Sequence, residues 1–156
     1  MSKDIKQDEF NENWSRWEPD LSNLATNYYI ANACYSYDGF KVILEEEGGN
    51  QKVEVLFYGI SSVRITDEGR RLKLYESLIS KYGLDFYRNW TFFKVEQSDY
   101  LQWLSAQSYE ISDICKVKHF VLLGAESVLD VVTTCEPEVK ILPSASTEKQ
   151  KLGATK

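Results

Sequence analysis

The sequence of 156 residues predicts an α+β fold, with a mainly antiparallel sheet of about five to six strands and two principal helices packed on one face. Two observations lead to this prediction. Segments in which apolar and polar residues alternate outnumber segments with the 3.6-residue period of a helix. Short turn sequences connect the alternating segments, and short turns favour antiparallel hairpins over the long crossovers that parallel strands need. The predicted element order is therefore β-β-β-α-β-α-β-β.

The first half of the chain supplies an arm and three strands. Residues 1–20 are expected to form an irregular or helical arm, because Trp14 and Trp17 have the spacing of neighbours on one helical face and Pro19 would end that helix. Three alternating segments follow, "YYIANACY", "FKVILE" and "QKVEVLFYG". The dipeptide "DG" at 38–39 predicts a two-residue hairpin turn after the first of them, and "EGGN" predicts a turn after the second.

The second half contributes both helices and the remaining strands. Thr66 or Asp67 can cap a first helix, and Gly83 suits the left-handed position just beyond its end. The apolar stripe of this helix consists of Leu72, Tyr75, Leu78, Ile79 and Tyr82. The segment "NWTFFKVEQS" predicts a strand, and Ser98 opens a short second helix. Two more strands flank the turn "GAES".

Composition sets the class of protein and the expected compartment. Hydrophobic residues make up 43% of the chain and charged residues 27%, which indicates one globular domain over 1–142, whereas 143–156 has the polar composition of a disordered tail. The sequence shows no apolar run long enough for a membrane span and no secretory signal. Its cysteines are odd in number and lack metal-binding spacing: Cys34, Cys115 and Cys135. These features predict a cytoplasmic protein.

The single histidine, His119, decides whether an active site is expected. It lies in "KVKHFVLL", where alternation predicts a strand and no orienting carboxylate or nucleophile is specified. A pair with Cys115 or Cys135 stays conceivable, although no nucleophile motif surrounds either cysteine. Phosphate-binding loops, zinc motifs and EF-hand spacings do not occur in the sequence. We therefore expect a strand residue with a packing role, no enzyme activity, no cofactor and no metal.

Acidic residues are concentrated in the first 69 positions, which hold thirteen acidic against six basic residues. This balance argues against nucleic-acid binding and favours a basic protein partner. The alternatives are plain solubility, a solvated strand end for the run "EEE", and a helix cap for the acids that precede the first helix. The candidate partner-binding residues are Asp38, Glu45, Glu46, Glu47, Glu54, Asp67 and Glu68.

Three stretches carry a resemblance to a known group of proteins: "RITDEGRRLKLY", "YGLDFYRNWTFFKVEQSDYLQWLS" and "HFVLLGAESVLDVVTTCEPEV". Over roughly Trp14 to Leu142, the chain resembles small bacterial proteins encoded beside polymorphic or contact-dependent toxins. The resemblance implies a cytoplasmic immunity protein that neutralises a toxin by binding it. Because toxin domains that attack nucleic acid tend to be basic, an acidic surface could cover such a domain.

Two other function classes stay open at the level of sequence. One is a small-ligand-binding protein or minor enzyme, with an aromatic pocket lined by Tyr28, Tyr75, Trp103 and His119. The other is an adaptor subunit that assembles through an exposed edge strand. The sequence specifies neither the partner nor the oligomeric state.

Overall fold

The computed structural model describes residues 9–110 and 116–144, and within them the predicted α+β class is confirmed. The helices are α1 (Leu72–Tyr82) and α2 (Asp99–Gln107), accompanied by two short 3₁₀ turns, Glu68–Arg70 and Leu84–Phe86. The strands are β1 (Asn13–Arg16), β2 (Tyr28–Ser36), β3 (Gly39–Glu46), β4 (Lys52–Phe57), β5 (Ile60–Asp67), β6 (Phe92–Glu96), β7 (Lys118–Leu123), β8 (Ser127–Thr133) and β9 (Glu138–Ile141). Most of the predicted disordered tail, from 145 onward, lies outside the described residues.

The described strands form two antiparallel sheets, which corrects the prediction of a single sheet of five to six strands. One sheet has five strands in the order β1-β6-β7-β8-β5, and the other has four in the order β2-β3-β4-β9. The reason is visible in β7, where every residue from His119 to Leu123 is buried. A strand that is buried on both faces needs a packed layer on each side, so one sheet with one set of helices cannot cover it.

The main core lies between the two sheets. Alternate residues of β3 and β4 face inward and meet the opposite alternation of β6, β7 and β8. Phe57 and Phe120 join the two layers, with ring centroids 6.1 Å apart. The buried members of this core are Tyr28, Phe40, Val42, Leu44, Val53, Val55, Phe57, Phe92, Phe120, Leu122, Leu129 and Val131.

The second core lies on the other face of the five-stranded sheet. Helix α1 contributes Leu74 and Leu78, which pack with Trp14 from β1. The sheet residues of this core are Phe93, Val95, Val121, Leu123 and Val128. The helix ends at Gly83, as predicted, where φ is 88°. Its buried stripe includes Leu74 rather than Leu72, which remains exposed.

The helical form of the arm predicted for residues 1–20 is wrong at residues 13–16, because they form strand β1. Trp14 pairs with Val95 of β6 and is buried in the second core. Trp17 packs against the main core instead, with its ring 5.1 Å from that of Phe120. Along an extended chain, positions three apart point to opposite faces, so the spacing that suggested one helical face places the two tryptophans in different cores.

Three further details depart from the sequence prediction. The β2–β3 hairpin is confirmed, but its register joins Ser36 to Gly39, so the two loop residues are 37–38 instead of 38–39. Gly39 has φ 131°, and a Cβ there would lie 2.7 Å from the Phe57 carbonyl oxygen. Strands β5 and β9 were not predicted. Asp67 ends β5 and caps the 3₁₀ turn through Gly69 N, whereas α1 itself begins after Arg71 without a side-chain cap.

Candidate functional site

His119 belongs to a buried polar network on the helix-bearing face of the five-stranded sheet. Its Nε2 lies 2.8 Å from Asp130 Oδ1 on the neighbouring strand β8, and its Nδ1 lies 2.8 Å from Ser98 Oγ. His119 is 3% exposed, and both partners are fully buried. Both ring nitrogens are thus within hydrogen-bonding distance of partners inside the protein.

Asp130 is the centre of this network, because two guanidinium groups occupy its second oxygen. Arg64 Nε and Arg71 Nη1 each donate to Asp130 Oδ2 over 2.9 Å. Arg64 is placed by sheet register, since it lies opposite Asp130 in the β5–β8 pair. Burial by itself would raise the pKa of Asp130. The hydrogen bonds from His119 and Arg64, together with the charges of His119 and Arg71, outweigh burial and hold that pKa well below its usual range.

The start of α2 packs over the network and supplies Ser98 as a partner of His119. Ser98 is the N-cap of α2, and its Oγ accepts a hydrogen bond from Leu101 N over 3.0 Å. The next turn brings Tyr100 against His119, with ring centroids 5.5 Å apart, while the Tyr100 hydroxyl is hydrogen-bonded to Ser62 Oγ. Arg64 covers the Tyr100 ring at 4.3 Å. The predicted cap is confirmed, and it also positions the histidine.

The order Ser98–His119–Asp130 is that of a nucleophile, a base and an orienting carboxylate. If Nε2 donates to Asp130, then Nδ1 is free to accept the Ser98 proton. Acyl transfer also requires room for a substrate carbonyl beside the nucleophile and donors for an oxyanion. Ser98 is fully buried and its Oγ caps α2 by accepting from Leu101 N, so in this conformation its hydroxyl meets only protein groups. The arrangement therefore acts as a structural bond between β7, β8 and α2.

Sequence reasoning missed the partners of His119, although one signal was present. Asp130 stands in "SVLDVVTT", where one carboxylate interrupts a run of apolar strand residues. A carboxylate at such a position is buried and needs cationic or hydrogen-bonding partners. That signal predicts a paired Asp130, but it does not specify Arg64, Arg71 or His119. Those partners depend on the β5–β8 and β7–β8 registers and on where α1 begins.

A second polar region is an open cleft at the end of the two sheets, with a volume of about 240 Å³. The β7–β8 turn, the start of β2, α1 and the segment before β6 border it. Tyr75 and Tyr87 form an aromatic wall, with ring centroids 5.2 Å apart and ring planes inclined at 62°. The lining residues are Asn27, Tyr28, Glu47, Glu68, Tyr75, Tyr87, Arg88, Asn89, Trp90, Leu123, Gly124 and Ala125.

Of the predicted partner-binding acids, Glu47 and Glu68 are the two that line this cleft. Within residues 9–110 and 116–144, neither carboxylate is in an ion pair. Burial, and after it the charge of Glu68, raise the pKa of Tyr75 to about 12, while Arg71 opposes this. Tyr75 is therefore neutral at physiological pH and lies in the negative field of Glu68.

The other predicted acids do not join them. Glu45 pairs with Lys52 at 3.3 Å, and Glu54 is flanked by Lys41 at 4.0 Å and Lys140 at 3.4 Å, all on the outer face of the four-stranded sheet. Alternating opposite charges on neighbouring strands largely neutralise this face. Glu46 instead accepts a hydrogen bond from its own turn, from the backbone N–H of residue 51.

Asp38 and Asp67 lie in two further places. Asp38 is in the β2–β3 loop, at the opposite end of β3 from Glu47. Eight strand residues at about 3.3 Å each separate the two ends by roughly 25 Å. Asp67 is engaged as a cap by Gly69 N. The seven acids are therefore spread over five locations and do not form one surface.

The predicted aromatic pocket is also divided. Tyr28 and Tyr75 line the cleft, whereas Trp103 stacks on Tyr100 above His119. Cys135 is exposed and contacts its neighbouring threonines, so it does not pair with His119. The alternative cysteine, at position 115, lies outside the described residues.

The edge strand β2 is the longest strand of the described chain, with nine residues. It carries no charged residue and no proline, and most of its residues after Tyr28 are exposed or half-buried. Its first carbonyl, at Tyr28, accepts a hydrogen bond from Ala125 N over 3.0 Å, so the β7–β8 turn covers that end. A bulge between Ile30 and Asn32 follows, and the remaining edge runs to the exposed hairpin.

In the comparisons with known proteins, no family model, no curated protein and no solved structure matches the chain. The resemblance to toxin-associated proteins therefore stays a prediction. Among the described residues, no group of three or more potential metal ligands comes together, and no described helix is long and apolar enough to cross a membrane.

Proposed function

We propose that the protein is a cytoplasmic, non-enzymatic protein-binding module that binds an extended segment of a basic partner along β2. The observation that carries the proposal is the free edge of this long, uncharged strand. An edge strand leaves backbone N–H and C=O groups without partners in its sheet, and a partner strand can satisfy them. Proteins usually protect long edges with lysine or proline, and β2 has neither. The single bulge of β2 lies before Asn32, so residues 32–36 form a regular stretch of edge with which a partner strand can pair.

Exposed tyrosines support the same surface. Tyr35 near the end of β2 is 72% exposed, and Tyr37 in the hairpin loop is fully exposed. Tyrosine offers a large contact area with few rotatable bonds and is enriched among the residues that dominate binding energy. A partner strand on β2 would have these rings beside one of its ends.

Charge supports a basic partner. The net charge is −6, and the end of β2 away from the tyrosines borders the cleft with Glu47 and Glu68. Complementary charge speeds association and selects the partner more than it adds affinity. In the biological form of this proposal, implied by the resemblance stated above, the partner is a toxin domain and the protein is its immunity protein.

The test uses the product of the adjacent gene as the partner and four single variants. Cys34→Lys and Cys34→Asp place a charge on the β2 edge, while Ser61→Lys and Ser61→Asp do the same on β5, the long edge of the other sheet. Both changes at Cys34 are expected to weaken binding at least tenfold, and those at Ser61 less than twofold. Stronger binding by Cys34→Asp would mean that charge alone drives association, and no binding to the wild type would refute the proposal.

One observation favours a second candidate function, an enzyme centred on His119: the hydrogen-bonded order Ser98–His119–Asp130. For this function the start of α2 would have to open and expose the serine. A serine-reactive fluorophosphonate tests it, because an activated Ser98 becomes labelled and Ser98→Ala does not. We expect no labelling of the native protein.

A further inference from the structure

We propose that the cleft bordered by Glu47, Glu68 and Tyr75 is a binding site for a positively charged side chain, an arginine or lysine of the partner. This inference rests on the proposed function, since the cleft adjoins the covered end of β2. Tyr28 is both the first residue of β2 and part of the cleft wall. A chain that pairs with residues 32–36 would therefore have its next residues near the cleft mouth.

The size of the cleft selects the kind of ligand. Its volume of about 240 Å³ is below the roughly 300 Å³ at which pockets for drug-sized molecules begin. It is sufficient for one long side chain. Trp90 contributes to the wall but does not offer its own donor, because its Nε1 already donates to the Trp17 carbonyl over 3.1 Å. Tyr75 and Tyr87 line the cleft beside it, and the faces of aromatic rings attract cations because they carry partial negative charge.

The charges at the cleft select the sign of the ligand. Glu47 and Glu68 line it, and Glu126 is exposed on the adjoining turn, where its carbonyl accepts a hydrogen bond from Glu68 N over 3.1 Å. Arg88 is the one cation in the lining. Among the lining residues, the two carboxylates of Glu47 and Glu68 stand against the one guanidinium of Arg88, so the lining carries a formal charge of −1. An arginine or lysine entering from the partner would supply the ion pairs that Glu47 and Glu68 lack within the described residues.

The two acids of the cleft also differ from a chance group of surface acids in their arrangement. Its two carboxylates come from separate elements, the β3–β4 turn and the 3₁₀ turn before α1, and converge on one concave surface. The outer face of the four-stranded sheet is a natural comparison, because Glu45 and Glu54 there already have lysine partners. The acids on the outer face of the four-stranded sheet are thus paired with lysines, whereas Glu47 and Glu68 in the cleft have no ion-pair partner among the described residues.

The test is an NMR titration of the full chain with Nα-acetyl-arginine methylamide, followed through the indole N–H of Trp90. We expect a saturable shift that weakens with added salt, and a loss of affinity of at least fivefold in Glu47→Gln/Glu68→Gln. The matched control, Glu45→Gln/Glu138→Gln, removes the same charge from the outer face of the four-stranded sheet and should bind like the wild type. The neutral isostere, Nα-acetyl-citrulline methylamide, should bind at least fivefold more weakly.

Three results would overturn the inference. Equal binding of the citrulline compound would remove the role of charge, and saturable binding of propionate without the arginine compound would make Arg88 the dominant group. Free arginine binding tenfold more tightly than its blocked derivative would identify a small metabolite as the ligand instead of a partner side chain. Because these probes do not reach the 32–36 edge, their failure leaves strand pairing untouched, and the Cys34 variants test that pairing without altering the cleft.

Discussion

The network around Asp130 and the cleft around Glu47 contain the same types of residue in opposite states. Each combines carboxylate, guanidinium and tyrosine groups. Asp130 is fully buried and bonded to three cationic or imidazole groups, whereas Glu47 and Glu68 border an open space without ion pairs in the described residues. Polar groups that satisfy one another stabilise the fold, and polar groups left open are available to a ligand.

The comparison shows that the one histidine of the sequence belongs to the region whose polar groups satisfy one another. A histidine attracts attention because its charge can change near neutral pH. In this fold both of its nitrogens face internal partners, and its strand is covered on both faces. The groups with unused bonding capacity lie elsewhere, along β2 and in the cleft.

The largest expected effect comes from removing the charge at the centre of the network. Asp130→Asn leaves two guanidinium groups without their carboxylate, and breaking a buried pair in this way costs about 3–5 kcal/mol. Urea unfolding should show this loss in the free energy of unfolding. Glu136→Gln is the control, because Glu136 pairs with Lys94 and Lys118 at the surface, where such pairs contribute about 0–1 kcal/mol. Equal effects of the two changes would contradict the structural role of the network.

The same carboxylate predicts how stability depends on pH. The pKa of Asp130 is lowered in the folded state, so the unfolded chain binds a proton first as the pH falls. Its contribution is complete above the unfolded pKa of about 3.9, and is lost progressively as the pH falls below that value toward the folded pKa. Unfolding measured from pH 6 to pH 2 should give a smaller decline for Asp130→Asn than for the wild type. Parallel curves would show that Asp130 is not paired.

A smaller effect is expected at the histidine itself. His119→Gln keeps hydrogen-bonding capacity but cannot bridge Ser98 and Asp130 in the same geometry, so we expect a loss of about 1–3 kcal/mol in stability. Partner binding per folded molecule should stay within a few-fold of wild type. Thermal unfolding alongside a binding titration separates the two quantities. Unchanged stability together with lost function would bring the enzyme hypothesis forward.

The smallest effect is expected on the outer face of the four-stranded sheet. Glu45→Gln removes one partner of the exposed Lys52 pair and should change the free energy of unfolding by less than about 1 kcal/mol. It should also leave partner binding unchanged. A tenfold slower association, measured by stopped flow at low salt, would instead restore the original prediction that Glu45 lies at the interface.

The sequence predicts individual elements of this fold better than their arrangement. The alternation in β3 and β4, the stop at Gly83 and the cap at Ser98 depend on neighbouring residues and are readable locally. Strand β1 was missed because four residues carry too short a pattern to separate from a helix. The second sheet was missed because pairing between distant segments, such as β4 with β9, depends on the whole fold.

The candidate site was predictable in part for the same reason. The acidic first half drew attention to Glu47 and Glu68, which line the cleft, but the sequence could not show that Glu45 and Glu54 would meet lysines across the strands. Those ion pairs depend on the register of the strands, and a one-residue shift of register would remove them. The exposure of the β2 edge depends equally on which strand is last in the sheet.

Hydrogen exchange of the protein with and without the adjacent-gene product tests the central claim most directly, because it reports the backbone groups that acquire partners. We predict that amides within 32–36 of β2 become strongly protected in the complex, with little change along β5 or around His119. Protection confined to β5 or to the start of α2, with β2 exchanging as in the free protein, would contradict the claim that β2 is the binding edge.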